Sequence, residues 1–142
     1  MIGLAAVKFN ENLPTGLDNI IHTPQPMSKP LQPLAQRLDQ FAKDRDWQQF
    51  HSPKNLASAL TVEASELLEH FQWLTEDQSR NLAADKREAV ALEMADVLLY
   101  LVQLSSALGI DLMDAAQRKM VINAQKYPVD QAKGSAKKYD AL

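Results

Sequence analysis

Apolar side chains recur at helical spacing from Leu31 onward, and that pattern sets out four helices. Leu34, Leu38 and Phe41 form the inner face of a first helix, expected from about Leu31 to Asp46, with Arg37, Asp39 and Lys43 on its outside. A connector follows, Trp47 to Lys54. Within it, Ser52 followed by Pro53 is a start signal, serine capping and proline fitting the first turn. The second helix is expected to reach about Leu74 along the stripe Leu56, Leu60, Glu63, Leu67, Phe71, Leu74. Glu63 stands where that stripe calls for an apolar residue, the kind of violation expected at a functional position. The polar stretch from Thr75 to Lys86 reads as a loop or as the first turns of a third helix. That helix ends at Gly109, a residue suited to a left-handed C-terminal position. Asp111 is placed to cap a fourth helix, which runs to about Lys126 and stops before Pro128.

Residues 1–30 break the pattern. Pro14, Pro24, Pro26 and Pro30 interrupt any helix and no periodicity is sustained, so an irregular or disordered arm is expected there. The segment Gly134 to Leu142 is polar. The expected organisation is an arm over 1–30, a helical domain over 31–128 and a polar tail over 129–142. The fold class is all-α, a four-helix bundle with short connections. The third helix is apolar on too many sides to be satisfied by three partners in one subunit, and this predicts a homo-oligomer.

Composition narrows the classes of function. A formal charge of −3 supplies no basic field for duplex nucleic acid. The chain has no cysteine, which removes disulfides, thiolate metal sites and cysteine nucleophiles and fits a cytoplasmic protein. No apolar run is expected to span a membrane. Met1 to Lys8 lacks a basic leader and has only a very short apolar part, so it reads as non-targeting.

The candidate chemistry lies in carboxylates. From Ala89 to Leu104 the only polar side chains are Glu93, Asp96, Tyr100 and Gln103, at offsets of 3, 7 and 10 along one helical stripe. No lysine or arginine lies in that stretch, and ionised carboxylates kept from water need a partner. A second pair with the same spacing, Glu63 and Glu66, sits on the preceding helix. Two such helices face to face would present four carboxylates to one cavity, an all-oxygen set suited to Mg²⁺, with Mn²⁺ as the other fitting ion. The bland reading, acids on solvated faces, is adequate for Glu69, Glu76 and Glu88. It fits the apolar helix poorly, because solvated faces normally mix both charge signs. Di-iron chemistry would need Glu-x-x-His on two helices, whereas His70 lies four residues after Glu66.

Magnesium held by carboxylates usually meets substrate phosphates. With four glycines in all, the chain carries no Walker-type phosphate loop, so phosphate contacts fall to side chains. Lys119, Asn123 and Lys126 share a face of the fourth helix, next to Arg118, and Lys54 and Asn55 open the second helix where anions are favoured. Each basic residue taken singly is as readily an ordinary solvated side chain. Trp47, Phe50, Trp73 and Tyr100 could stack on a base, Trp73 lying seven residues after Glu66 and Tyr100 seven after Glu93; core packing is the commoner role for any one of them. By their chemistry alone, His51 and His70 read as structural or hydrogen-bonding groups rather than ligands.

Four blocks together carry a family resemblance. Arg45 to Leu56, Glu63 to Trp73, Glu93 to Leu101, and Lys119 to Pro128 with Lys137-Lys138-Tyr139 resemble the MazG-type all-α nucleoside triphosphate pyrophosphohydrolases, in their dCTP pyrophosphatase branch. The likeness covers about Leu34 to Leu142. It implies Mg²⁺-dependent cleavage of a nucleoside triphosphate between the α and β phosphorus, in the service of nucleotide pool house-cleaning. By position, Glu63, Glu66, Glu93 and Asp96 correspond to the family's catalytic metal ligands, one glutamate also orienting water. Trp47, Trp73 and Tyr100 match residues that enclose the base. Lys119, Asn123, Lys126 and Tyr127 match positions near phosphate and sugar, and His51, Lys54 and Asn55 complete the substrate-binding candidates. Leu38 stands where some relatives place a base-facing histidine, which leaves dATP and other deoxynucleotides open beside dCTP. The family commonly forms dimers or tetramers with sites between subunits. The competing readings are a dUTP or phosphoribosyl-ATP pyrophosphohydrolase and a non-catalytic metal-binding helical oligomer.

Overall fold

The structure, a computed structural model, describes residues 30–141; the arm expected over residues 1–30 lies outside the described residues except for Pro30. Helix α1 spans Gln32–Lys43 with Pro33 in its first turn. The chain then reverses through Asp46, whose φ of 54° is left-handed, a conformation that aspartate tolerates better than most residues. A 3₁₀ turn over Gln48–Phe50 leads to α2, Pro53–Glu69. Ser52 caps α2 as expected, its Oγ accepting from Asn55 N at 3.3 Å. Helices α3 (Glu76–Arg80), α4 (Ala84–Ala107), α5 (Leu112–Lys126) and α6 (Val129–Ala132) follow, and a 3₁₀ turn closes at Tyr139–Ala141.

The all-α class is as expected, and three local signals are realised. Gly109 is left-handed, with φ of 63°. Asp111 caps α5, accepting from Met113 N and Asp114 N. Helix α5 stops at Lys126, two residues before Pro128. The end of α2 differs from expectation. The apolar stripe continues in register to Leu74, but the helix stops at Glu69, and Phe71 N and Leu74 N bond to carbonyls only three residues back. The change begins at His70, whose N–H bonds to Leu67 O, so Phe71 to Leu74 lie in tight turns. Thr75 and Gln78 form a capping box, Thr75 Oγ1 accepting from Gln78 N while Gln78 Oε1 accepts from Thr75 N. That motif holds Thr75 extended and starts α3.

Helix α2 packs along α4, and α1 packs on α4 beside it. Leu56 and Val102, 2 % and 0 % exposed, anchor the seam between them, joined by Ala42 and Val90. Ser105 is buried with them and bonds back to Val102 O at 2.8 Å. Helix α5 packs sparsely on the other helices and keeps Met120, Val121 and Ile122 exposed. Leu92, Met94 and Leu98 of α4 are exposed as well. Contrary to the sequence expectation, α4 is long and apolar enough to cross a membrane by length and composition. Its midpoint, however, carries Glu93 and Asp96, costly residues in hydrocarbon.

Candidate active site

The α2–α4 seam determines which carboxylates meet. Spacing of three residues puts Glu63 and Glu66 one turn apart on α2, and Glu93 faces them from α4. One carboxylate oxygen from each of the three lies within 4.8 Å of the others, close enough to share one ion. Glu63 and Glu93 are half-buried, and Glu66 is exposed. Asp96 stands outside this tight group but remains part of its field. Partial burial pushes the Glu63 carboxyl above its ordinary value, and the charges of Glu66, Asp96 and Glu93 push it further in the same direction. Among the described residues, no lysine or arginine pairs with any of the four acids. His70 stands beside the cluster, its Nε2 3.9 Å from Glu93 Oε1. The donor set is all oxygen, negative and, among the described residues, without a lysine or arginine partner, so it fits a hard divalent cation such as Mg²⁺ or Mn²⁺.

Further along the same helix pair a cavity of about 310 Å³ opens between α1, the 3₁₀ turn, α2 and α4. Leu38, Leu56 and Ala107 supply apolar wall, and Asp39, Gln48, His51 and Gln103 supply polar groups. Seven residues of α4 separate Asp96 from Gln103, about 10 Å of helix rise, so an elongated ligand can reach both sites. Asp39 is held by two donors, Lys43 Nζ and Gln48 Nε2, each at 2.7 Å. The Lys43 bond is the main reason its carboxyl lies below the usual range, with Gln48 adding to the effect and partial burial opposing it.

Other expected site residues fall elsewhere. Trp47 packs edge-on against Phe41, ring centres 6.0 Å apart, and is not part of the cavity wall. Lys54 is exposed at the start of α2, while the Asn55 amide donates to Phe50 O at 2.9 Å and so helps close the connector. Trp73 lies in the turn beyond α2, not on its helical face, and is 86 % exposed. Tyr100 is half-buried on α4. Lys119, Asn123, Lys126 and Tyr127 are exposed on or just after α5; Lys126 and Tyr127 both pack against Tyr139. Within one chain these four join neither the acid cluster nor the cavity wall. Asp39 is exposed on α1 as expected, and its place beside Gln48 at the cavity was not foreseen, because only the fold of α1 against the 3₁₀ turn brings the two together. Gln103 was visible as the last member of the polar stripe.

Fold and site together define an all-α protein with a carboxylate centre between two packed helices and a side cavity within a nucleoside's length of it. The chain belongs to the MazG-like family, whose sequence model matches residues 59–142. It is 46 % identical over 105 residues to dCTP pyrophosphatase 1 of Mus musculus and 45 % identical to that of Homo sapiens. Each alignment covers 72 % of this chain and 62 % of the relative, so the chain spans a little under two thirds of their length. A solved structure of a pyrophosphatase from Archaeoglobus fulgidus superposes with a TM-score of 0.66 at 38 % identity, covering 69 % of this chain and 92 % of the other.

Proposed function

We propose that the protein is a Mg²⁺-dependent nucleoside triphosphate pyrophosphohydrolase, with dCTP or a related deoxynucleotide as substrate and nucleotide pool house-cleaning in the cytoplasm as its role. The observation that carries this reading is the convergence of Glu63, Glu66 and Glu93 within 4.8 Å without a lysine or arginine partner among the described residues. Similarity to dCTP pyrophosphatases supports the substrate class. The reaction adds water across the α–β anhydride and releases a nucleoside monophosphate and pyrophosphate. A hard divalent cation supplies charge neutralisation at the phosphates and activation of water. Glu63, Glu66 and Glu93 hold that cation, with Asp96 as the fourth acid of the field, and one of the glutamates orients the attacking water. The base enters the cavity beside Leu38, His51 and Gln103, about 10 Å of helix rise from Asp96 and about 15 Å from Glu93, and Tyr100 lies on the helix between the two ends.

The uncovered apolar residues of α4 and α5 support a homo-oligomer, dimer or tetramer. Assembly would supply what one chain lacks near the acids, with Lys119, Asn123, Lys126 and Tyr127 of α5 as phosphate and sugar contacts and Trp47 and Trp73 as base contacts. Lys54 and Asn55 sit at the N-terminus of α2, where an anion is favoured. The test is a panel of deoxynucleoside and nucleoside triphosphates with Mg²⁺ and with Mn²⁺, scored by pyrophosphate release. Turnover highest with dCTP and lost in Glu93→Gln supports the reading. Turnover of dUTP or of phosphoribosyl-ATP in preference would move it to the corresponding relative, and a correctly folded, inactive protein would leave a metal-binding oligomer.

A further inference from the structure

One imidazole beside the acid cluster has no part in the chemistry just described. His70 is the residue that ends α2, its backbone N–H bonding to Leu67 O at 3.3 Å. Its side chain is 19 % exposed, and its Nε2 lies across the helix seam, 3.9 Å from Glu93 Oε1. Its other ring nitrogen, Nδ1, is buried and has no hydrogen-bond partner among the described residues. A buried N–H without an acceptor is more costly than a buried lone pair that stays unused, so the neutral ring carries its hydrogen on Nε2. That N–H is on the side of Glu93. A separation of 3.9 Å is longer than a hydrogen bond but within ion-pair range.

Glu93 needs such a partner more than its neighbours do. It is the one member of the tight group that α4 provides, it faces two carboxylates on α2, and its side chain is 25 % exposed, so repulsion has an open path to swing it outward. We propose that His70 is a positioning residue for Glu93: Nε2–H holds one carboxylate oxygen and leaves the other turned toward Glu63 and Glu66. The inference rests on reading those glutamates as a divalent-cation site. Partners of this kind, behind the ligands, orient them and tune their affinity.

The experiment measures Mn²⁺ binding to metal-free full-length protein by calorimetry, with melting in EDTA as the control, for wild type, His70→Leu, His70→Gln and His70→Asn. Leucine fills the space without a donor, and the expected result is about tenfold weaker Mn²⁺ binding. Melting in EDTA stays level or rises, since the unpartnered Nδ1 is gone. Glutamine restores a donor at the reach of Nε2 and brings affinity back to within about threefold of wild type. Asparagine is too short to reach Glu93 and stays weak, which keeps the comparison intact should the leucine variant fail to fold. At saturating metal the nucleotide KM stays unchanged in all variants. Equal Mn²⁺ affinity in the Asn and Gln variants, or a lower melting temperature with unchanged affinity in the Leu variant, would overturn the positioning role alone. Wild-type protein that binds no Mn²⁺ would overturn the metal-site reading beneath it.

Discussion

Replacing Glu63 by glutamine should stabilise the metal-free protein and abolish its activity. Glu63 is a half-buried carboxylate with ligand oxygens of Glu66 and Glu93 within 4.8 Å. Two unit charges at that separation repel by about 0.9 kcal/mol in water, and by several-fold more at the lower effective dielectric near a protein surface. With solvent access counted, relief from two neighbours amounts to about 1–2 kcal/mol at low salt. For a helical unit of this size, that corresponds to a rise in Tm of about 5 °C in EDTA. The effect depends on pH in a defined direction. The folded-state pKa of Glu63 is raised, so its contribution to stability is fully present below the unfolded-state value and is lost as pH rises through the native one. The gain from the substitution should therefore be small near pH 4 and complete at about pH 8. Saturating Mg²⁺ should reverse the ranking, because ligand at about a hundred times its Kd stabilises the wild type by about 2.7 kcal/mol and the variant by far less. The assay is differential scanning calorimetry at both pH values, in EDTA and in MgCl₂, paired with pyrophosphate release. A lower Tm in EDTA at pH 8, or turnover equal to wild type, would refute the reasoning.

Two further outcomes are expected. Trp73→Ala should leave stability within about 0.5 kcal/mol of wild type, as the ring is 86 % exposed, while raising the nucleotide KM about tenfold if it stacks on the base; an unchanged KM would remove Trp73 from the site. Light scattering of the full chain should give twice or four times 15.9 kDa, and a monomer mass would contradict the proposed assembly.

Features set by one or two neighbouring residues could be read directly from the chain. Ser52 with Pro53, Gly109, Asp111 and Pro128 mark helix ends through backbone chemistry that needs no tertiary partner. Glu63 and the Glu93–Asp96 pair stood out because apolar periodicity around them made their charge conspicuous, and α2 against α4 does bring Glu63, Glu66 and Glu93 together. The end of α2 was misjudged because the stripe through Phe71 and Leu74 continues in phase, although the backbone turns into three-residue bonds from His70 onward. Trp73 was misplaced with it. The surroundings of Asp39, Gln48 and α5 were not legible for a different reason. Periodicity assigns a face to a helix but does not say what that face meets, and the cavity wall comes from three separated segments.

If Glu63, Glu66 and Glu93 hold a divalent cation, the water they orient would attack at the α–β anhydride of the substrate. The identity of the products formed from dCTP with Mg²⁺, followed by phosphorus NMR, tests this. The expected products are dCMP and pyrophosphate in equal amounts, with no inorganic phosphate at early times and no reaction in Glu93→Gln. Release of dCDP and inorganic phosphate, or identical product formation by Glu93→Gln, would contradict it.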